Sequence, residues 1–480
     1  MKKFKTNALL LCAISSITML SSCGKKGVNE NTIQFWHTFG KEIVVKLEKQ
    51  ISAFEKAIYD RDGVSISIEQ SYQGDYDALS DKVLNGYATG NTPTITVAYP
   101  DNIADYLELE SNKGDLVVNL DDYINSPEYG LGVKDDIFKE ETKASDIVES
   151  FYEEGQNYKY EGTYSMPLMK STEIMLYNEA VVSRALLDLG IEKDVDKYMK
   201  NITWDEFMAL LQQIANNFEK YGMKDPEGGD SYALYYDSDA NLFITQCYQR
   251  GIDYISMKDG KGSIDFNNSK AVELLNEFKG MRDAKLLTTK GSTDGRYGSD
   301  YFKAMRTAFV VGSTGGSGYS DPGVSFDVGV CKFPSYKGVP VEKQKYVSQG
   351  VTLGLLKNSS ASKEVNDKKT RYGWEFIKYI TSPTNNAELA MESKGYVPVR
   401  TSAYESEEYL EYLNDDGYST EVAKSVINEI NGNYFNYPVF KGSAEARTQS
   451  EGAVKKVLLG KLTPEKALEE AYKEATKKAQ

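Results

Sequence analysis

The first hundred residues change hydrophobic period again and again, and that alternation is the strongest limit on the fold. Ile33 and Phe35 alternate with polar neighbours, as residues of a half-buried strand do. Ile43, Leu47, Ile51, Phe54 and Ile58 then recur every three or four residues, which puts them on one helical face. Val64, Ile66 and Ile68 return to a period of two. Leu79, Val83, Leu84 and Tyr87 make a second helical stripe, and Ile95 and Val97 a third strand. Strand, helix, strand, helix, strand predicts an α/β fold: a parallel sheet covered by helices.

Later helices are equally legible. Phe207, Leu210, Leu211, Ile214 and Phe218 share a face, with Thr203 in the N-cap position before Trp204. Ala271, Leu274, Leu275, Phe278 and Met281 form another. Thr463-Pro464, a cap followed by proline at the first helical position, opens a last helix on Ala467, Leu468, Ala471, Tyr472 and Ala475. Two apolar stretches adjoin glycines. Ala308 to Val311 runs into Gly312-Ser313-Thr314-Gly315-Gly316-Ser317-Gly318, and Tyr346-Val347-Ser348-Gln349-Gly350 runs into Val351 to Leu356. Glycines after a strand let backbone N–H groups approach a ligand, and a nest of them attracts anions. The same composition also suits a surface loop.

The front of the chain carries an address. Lys2, Lys3 and Lys5 precede an apolar run from Ala8 to Leu20, too short to span a bilayer, which takes about 20 apolar residues. It reads as a secretory signal. Leu20-Ser21-Ser22-Cys23 resembles a bacterial lipobox, so 1–22 is expected to be a lipoprotein signal peptide and Cys23 a lipidated N-terminus. The small polar residues after it make 23–32 a lipidated tether. The expected location is extracytoplasmic, anchored to the outer face of the cytoplasmic membrane, which is the periplasmic side if an outer membrane exists.

The formal charge is −15, and loss of the three signal lysines takes it to −18. So acidic a surface excludes a nucleic-acid partner, whose phosphates need a basic footprint. Cys12 leaves with the signal and Cys23 carries lipid, leaving Cys247 and Cys331. With one histidine, His37, and no cysteine cluster, neither a metal site nor a cofactor is expected. A hydrolase would need paired carboxylates or a nucleophile with a base. There is no Gly-x-Ser-x-Gly, and Asp121-Asp122, Glu140-Glu141 and Asp415-Asp416 read as solvated faces or turns. The chain is therefore expected to bind and not to catalyse.

The segments FWHTFG at 35–40, ATGNTPTI at 88–95, MLYNEAV at 175–181, TWDEF at 203–207, KGYVPVR at 394–400 and LLGKLTPEKALEEA at 458–471 carry a resemblance over nearly the whole chain. Together they are similar to the family 1 extracellular solute-binding proteins of ABC importers, most of all to the glycerol-3-phosphate-binding branch. The resemblance implies a two-lobed, type II periplasmic-binding-protein-like fold. Each lobe is a mostly parallel sheet flanked by helices, and the chain crosses between lobes three times, near Leu168–Glu173, Thr307–Ser313 and Tyr346–Val351. On that reading 33–170 and 313–348 form one lobe and 171–312 and 349–480 the other. Cys247 and Cys331 then fall on different lobes, as free buried thiols.

The same resemblance places ligand contacts at Tyr76, Ser171, Trp204, Ser313, Gly350, Tyr396 and Arg447. Where the family has a glutamate facing the glycerol hydroxyls, this chain has Pro100, with Asp101 beside it. The donors fit an anion: hydroxyls, a backbone N–H and a forked guanidinium suit a phosphate monoester or diester. The implied ligand is a small phosphate-bearing polyol, such as glycerol-3-phosphate or a glycerophosphodiester, delivered to a membrane permease by a monomeric carrier. The competing ligand is a sugar, stacked on some of the 35 tyrosines; a secreted hydrolase and a purely structural surface protein are the remaining alternatives. Trp36 and His37 are expected beside the cleft.

Overall fold

The computed structural model describes residues 29–109, 115–134, 142–223, 229–258, 261–415, 417–430 and 432–479; the expected signal peptide, Cys23 and all but the last residues of the tether lie outside them. In chain order the strands begin with β1 (Thr32–His37), β2 (Ser67–Tyr72), β3 (Ile95–Ala98), β4 (Met166–Ser171), β5 (Glu173–Asn178) and β6 (Tyr232–Tyr236). A small hairpin of β7 (Ile255–Lys258) and β8 (Lys261–Ile264) follows. Then come β9 (Leu287–Thr289), β10 (Thr307–Ser313), β11 (Val328–Cys331), β12 (Tyr346–Val347), β13 (Gln349–Leu355) and β14 (Tyr434–Phe435).

Two five-stranded sheets result, ordered β2-β1-β3-β13-β4 and β11-β5-β10-β6-β9. Each sits in its own hydrophobic core. The helix Lys41–Asp62 buries Ile43, Leu47, Ile51, Phe54 and Ile58, the stripe its sequence displays. Thr203 caps the helix Trp204–Ala215 reciprocally with Glu206, and the last helix, Pro464–Ala479, buries Ala467, Leu468, Ala471 and Ala475. The expected parallel character holds for half of each sheet, the half made of strand–helix–strand units. β1 runs parallel to β2 and β3, whereas β13 runs antiparallel to both β3 and β4. Likewise β6 is parallel to β9 and β10, while β5 is antiparallel to β10 and β11.

The lobe boundaries need correction. Residues 171–173 do cross, from β4 in the first sheet to β5 in the second. The chain does not cross at Thr307–Ser313. Past Ser313 it makes a 3-10 turn over Thr314–Ser320 and returns to the second sheet as β11, antiparallel to β5. The second crossing is at Ser348, between β12, which pairs with β14, and β13, which enters the first sheet. So 313–348 belongs with the second lobe and 349–393 with the first, where the helices Lys363–Ile380 and Pro383–Ser393 pack on its core. The third crossing lies between Ser393 and the helix Tyr418–Ser425, whose Val422 packs with Ile174 and Tyr235 of the second lobe. Cys247 and Cys331 are both buried and outside any disulfide, as expected, but both sit in the core of the second lobe rather than on opposite lobes.

Candidate functional site

A cleft of about 860 Å³, counting the part open to solvent, lies between the lobes at the crossings. The first lobe supplies the end of β3. Its strand runs straight into the helix Pro100–Leu107, with proline at the first helical position, so Tyr99, Pro100 and Asp101 stand at the carboxyl end of a parallel strand. The start of β13 adds Gln349 and Gly350. Gly350 has φ 115°, and a Cβ there would lie 2.4 Å from Met169 O and 2.7 Å from Lys170 Cα. Only glycine lets β13 and β4 come this close.

The second lobe supplies an aromatic wall and a guanidinium. Tyr254, Phe435 and Tyr437 line the cleft beside Ile244, Ile255, Pro438 and Val439. Their far faces are fixed by packing: Phe435 stacks on Tyr248 at 4.0 Å, and Tyr437 meets Tyr254 edge-on at 4.9 Å. Arg447 projects from the helix Ser443–Leu458 and donates to Asn241 Oδ1. Asn241 Nδ2 donates in turn to Glu173 Oε1 at 2.9 Å, and the Tyr236 hydroxyl donates to Glu173 Oε2. Burial pushes the Glu173 carboxyl up to about 7. Burial also raises the Asp101 carboxyl above its ordinary value, with Arg447 pulling it back.

At the floor, Lys170 of β4 pairs with Glu154, both buried. Ser348 Oγ and Asn436 Nδ2 donate to the other oxygen of Glu154. All four line the cleft, and together they bind β4, the Ser348 crossing and the segment after β14 into one network.

Of the expected contacts, Gly350 and Arg447 line this cleft. Ser171 and Tyr76 stand one contact behind it, and Ser313 and Tyr396 stand behind those two. Ser171 is the strand partner of Gln349, and Ser313 Oγ donates to Ser171 Oγ at 3.4 Å. Tyr76 stacks on Tyr99 with ring centroids 4.1 Å apart, and its hydroxyl is hydrogen-bonded to that of Tyr396. Trp204 does not join them. It is 8% exposed and packs against Phe333, Tyr336 and the Arg250 guanidinium in the second core. Pro100 is a lining residue, as is Asp101. Trp36 and His37 belong to β1; the buried His37 shares a hydrogen bond of 2.6 Å with Gln70. Sequence reading passed over Glu154, Lys170, Tyr254, Phe435, Asn436 and Tyr437. The run Asn433-Tyr434-Phe435-Asn436-Tyr437-Pro438 was the available signal: aromatics interleaved with amides and closed by a proline.

The cleft thus sets the paired Lys170 and Glu154, and an Arg447 tied to Asn241, beside an aromatic wall. The sequence model of the bacterial extracellular solute-binding proteins matches residues 49–414. The chain belongs to this family. No curated protein sequence matches it. Among solved structures, UgpB from Mycobacterium tuberculosis with glycerophosphocholine has a TM-score of 0.67 at 19% identity, over 93% of this chain and 97% of that one. Lmo0181 from Listeria monocytogenes with cycloalternan has 0.67 at 18%, over 93% and 98%. The GacH receptor of Streptomyces glaucescens, solved unliganded and with acarbose, has 0.65 at 18%, again over 93% and 98%. At such identities the likeness establishes the two-lobed fold. Solute-binding proteins hand small polar ligands to ABC permeases from outside the cytoplasm. No helix among the described residues of this solute-binding protein is long and apolar enough to cross a membrane.

Proposed function

We propose that this solute-binding protein captures a carbohydrate of one to a few sugar units in the interlobe cleft and performs no catalysis on it. The observation that carries this reading is the balance of the cleft walls. Four charged residues line it, Asp101, Glu154, Lys170 and Arg447, and they sum to zero. Lys170 is spent on Glu154, and Arg447 already acts on Asp77, Asp101 and Glu173. A phosphate ester brings a charge of roughly −1.5 to −2 and would meet no surplus of positive charge here. A pyranose is neutral, flat and hydroxyl-rich. Its C–H face suits Tyr254, Phe435 and Tyr437, and its hydroxyls suit Asp101, Asn436 and Arg447.

The phosphate-bearing polyol is the second reading. The paired Ser171 and Ser313 hydroxyls favour it, with Gly350 and Arg447 within the same crossing region. Calorimetric titration of the chain begun after Cys23 separates the two. The panel is maltose, maltotriose, a cyclic oligosaccharide, glycerol-3-phosphate and glycerophosphocholine. Heat with a sugar, weakened at least tenfold by Tyr437→Ala, supports carbohydrate capture. Heat with the phosphate ligands alone, abolished by Arg447→Ala, overturns it in favour of the polyol.

We further infer that Cys23 carries a lipid that tethers a monomeric clamp beside its permease. Cys23→Ser is expected to move the protein from the membrane fraction to the soluble one. Unchanged membrane association would refute the anchor.

A further inference from the structure

We propose that Gln349 is a specificity-determining residue whose side-chain amide reads a hydroxyl of the ligand at the hinge. The backbone around it is held on every side. Ser348 N donates to Phe435 O at 3.1 Å, the Ser348 hydroxyl is bound to Glu154, and Gly350 is wedged against Met169 and Lys170. Gln349 itself pairs with Ser171 as β13 begins. The side chain is treated differently. Its Oε1 is buried, lies in a residue that lines the cleft, and has no hydrogen-bond partner among the described residues.

Nearby donors are committed elsewhere. Lys170 Nζ, Ser348 Oγ and Asn436 Nδ2 all converge on Glu154, and an Arg447 N–H goes to Asn241. Buried polar atoms are almost always satisfied, so an orphan on a rigid backbone in a cleft marks a place where a partner arrives from outside. An amide oxygen needs a donor, and a ligand hydroxyl is one; an ionised phosphate oxygen is not. Gln349 is the first residue of β13, directly after the Ser348 crossing, so the first lobe makes this contact at its junction with the second.

This inference rests on reading the cleft as the site of a hydroxyl-bearing solute, and its test is built to fail separately. Gln349→Met keeps the length and removes the amide; Gln349→Glu keeps an acceptor. Thermal unfolding without ligand is measured first. Gln349→Met is expected to raise the midpoint by about 1–2 °C, since an unpaired buried group is gone; a lowered midpoint overturns the proposal by making the amide structural. Titrations with maltose, maltotriose, glycerol-3-phosphate and glycerophosphocholine follow. Gln349→Met is expected to weaken the bound ligand at least tenfold, and Gln349→Glu to stay within a few-fold for a sugar. Equal affinity of wild type and Gln349→Met overturns the proposal. Absence of binding by every sugar tested refutes the carbohydrate reading, and the unfolding measurement still decides Gln349.

Discussion

Glu173 is a carboxyl with three ties and little water: Tyr236 and Asn241 hold it, and Arg447 acts on it through Asn241. Burial raises it from 4.5 to about 7. A carboxyl whose folded value is raised binds its proton more tightly in the folded state. Stability from this group therefore falls as pH climbs from about 4.5 to 7, and is level above that. The measurement is chemical unfolding of wild type and Glu173→Gln across this range. The stability of the variant relative to wild type should grow by on the order of 3 kcal/mol between pH 4.5 and 8. A constant difference would mean Glu173 titrates normally. The Lys170–Glu154 pair sets a different problem. Both ends are buried, so Lys170→Met strands a carboxylate and should cost about 3–5 kcal/mol. Removing both charges together, as Lys170→Met with Glu154→Leu, should recover part of that loss in the same unfolding assay.

Strand β13 shows what one element contributes to the site. Its first two residues face the cleft and its remainder runs through the first core, where Val351, Leu353 and Leu355 are buried. Gly350 makes the change of role possible, because its positive φ and missing Cβ let β4 pass beside it. Gly350→Ala should destabilise the protein by more than about 2 kcal/mol, and should weaken ligand binding as well, since Gln349 would be displaced. Ligand titration of a folded Gly350→Ala protein with undiminished affinity would contradict this coupling. Helix ends matter on a smaller scale. Thr203 holds the Glu206 N–H at the start of its helix, so Thr203→Ala should cost about 1 kcal/mol and leave ligand affinity unchanged, because Trp204 is core and not cleft.

Across the whole molecule, the lobes are joined at the crossings and also touch away from them. Gly442 N, at the start of the Arg447 helix, donates to Asp105 Oδ1 of the first lobe at 3.0 Å. That carboxylate faces the positive end of the helix macrodipole, with Lys478 attracting it and Asp101 and Glu445 opposing. It ties the helix that carries Arg447 to the helix that carries Asp101, two residues that line one cleft. Asp105→Ala should shift the clamp towards an open form and weaken the ligand several-fold without altering the cleft lining. Small-angle scattering should show the wild type compacting on ligand addition. No change in radius with saturating ligand would remove closure from the mechanism.

How much of this was written in the sequence follows from the range of each interaction. Period, caps and proline positions are local, so the strands and helices of the first hundred residues, the Thr203 cap and the final helix were legible, and the ordered motifs led to the family. Lobe membership was not. The glycines after β10 looked like a crossing, yet whether a chain crosses or returns depends on which sheet edge is free, and β5 had an open edge for β11. The same rule sent β13 back to the first sheet between β3 and β4. The site divides along the same line. Arg447 and Gly350 could be placed from motifs, but the aromatic wall and the unpaired Gln349 oxygen arise only where segments distant in the chain meet, and the Lys170–Glu154 pair only where a helix end folds back on β4. The sequence determined which elements form and what kind of protein they make; tertiary contact decided which of them share a lobe, and which polar atoms are left for a ligand, because pairing and burial are properties of neighbours in space.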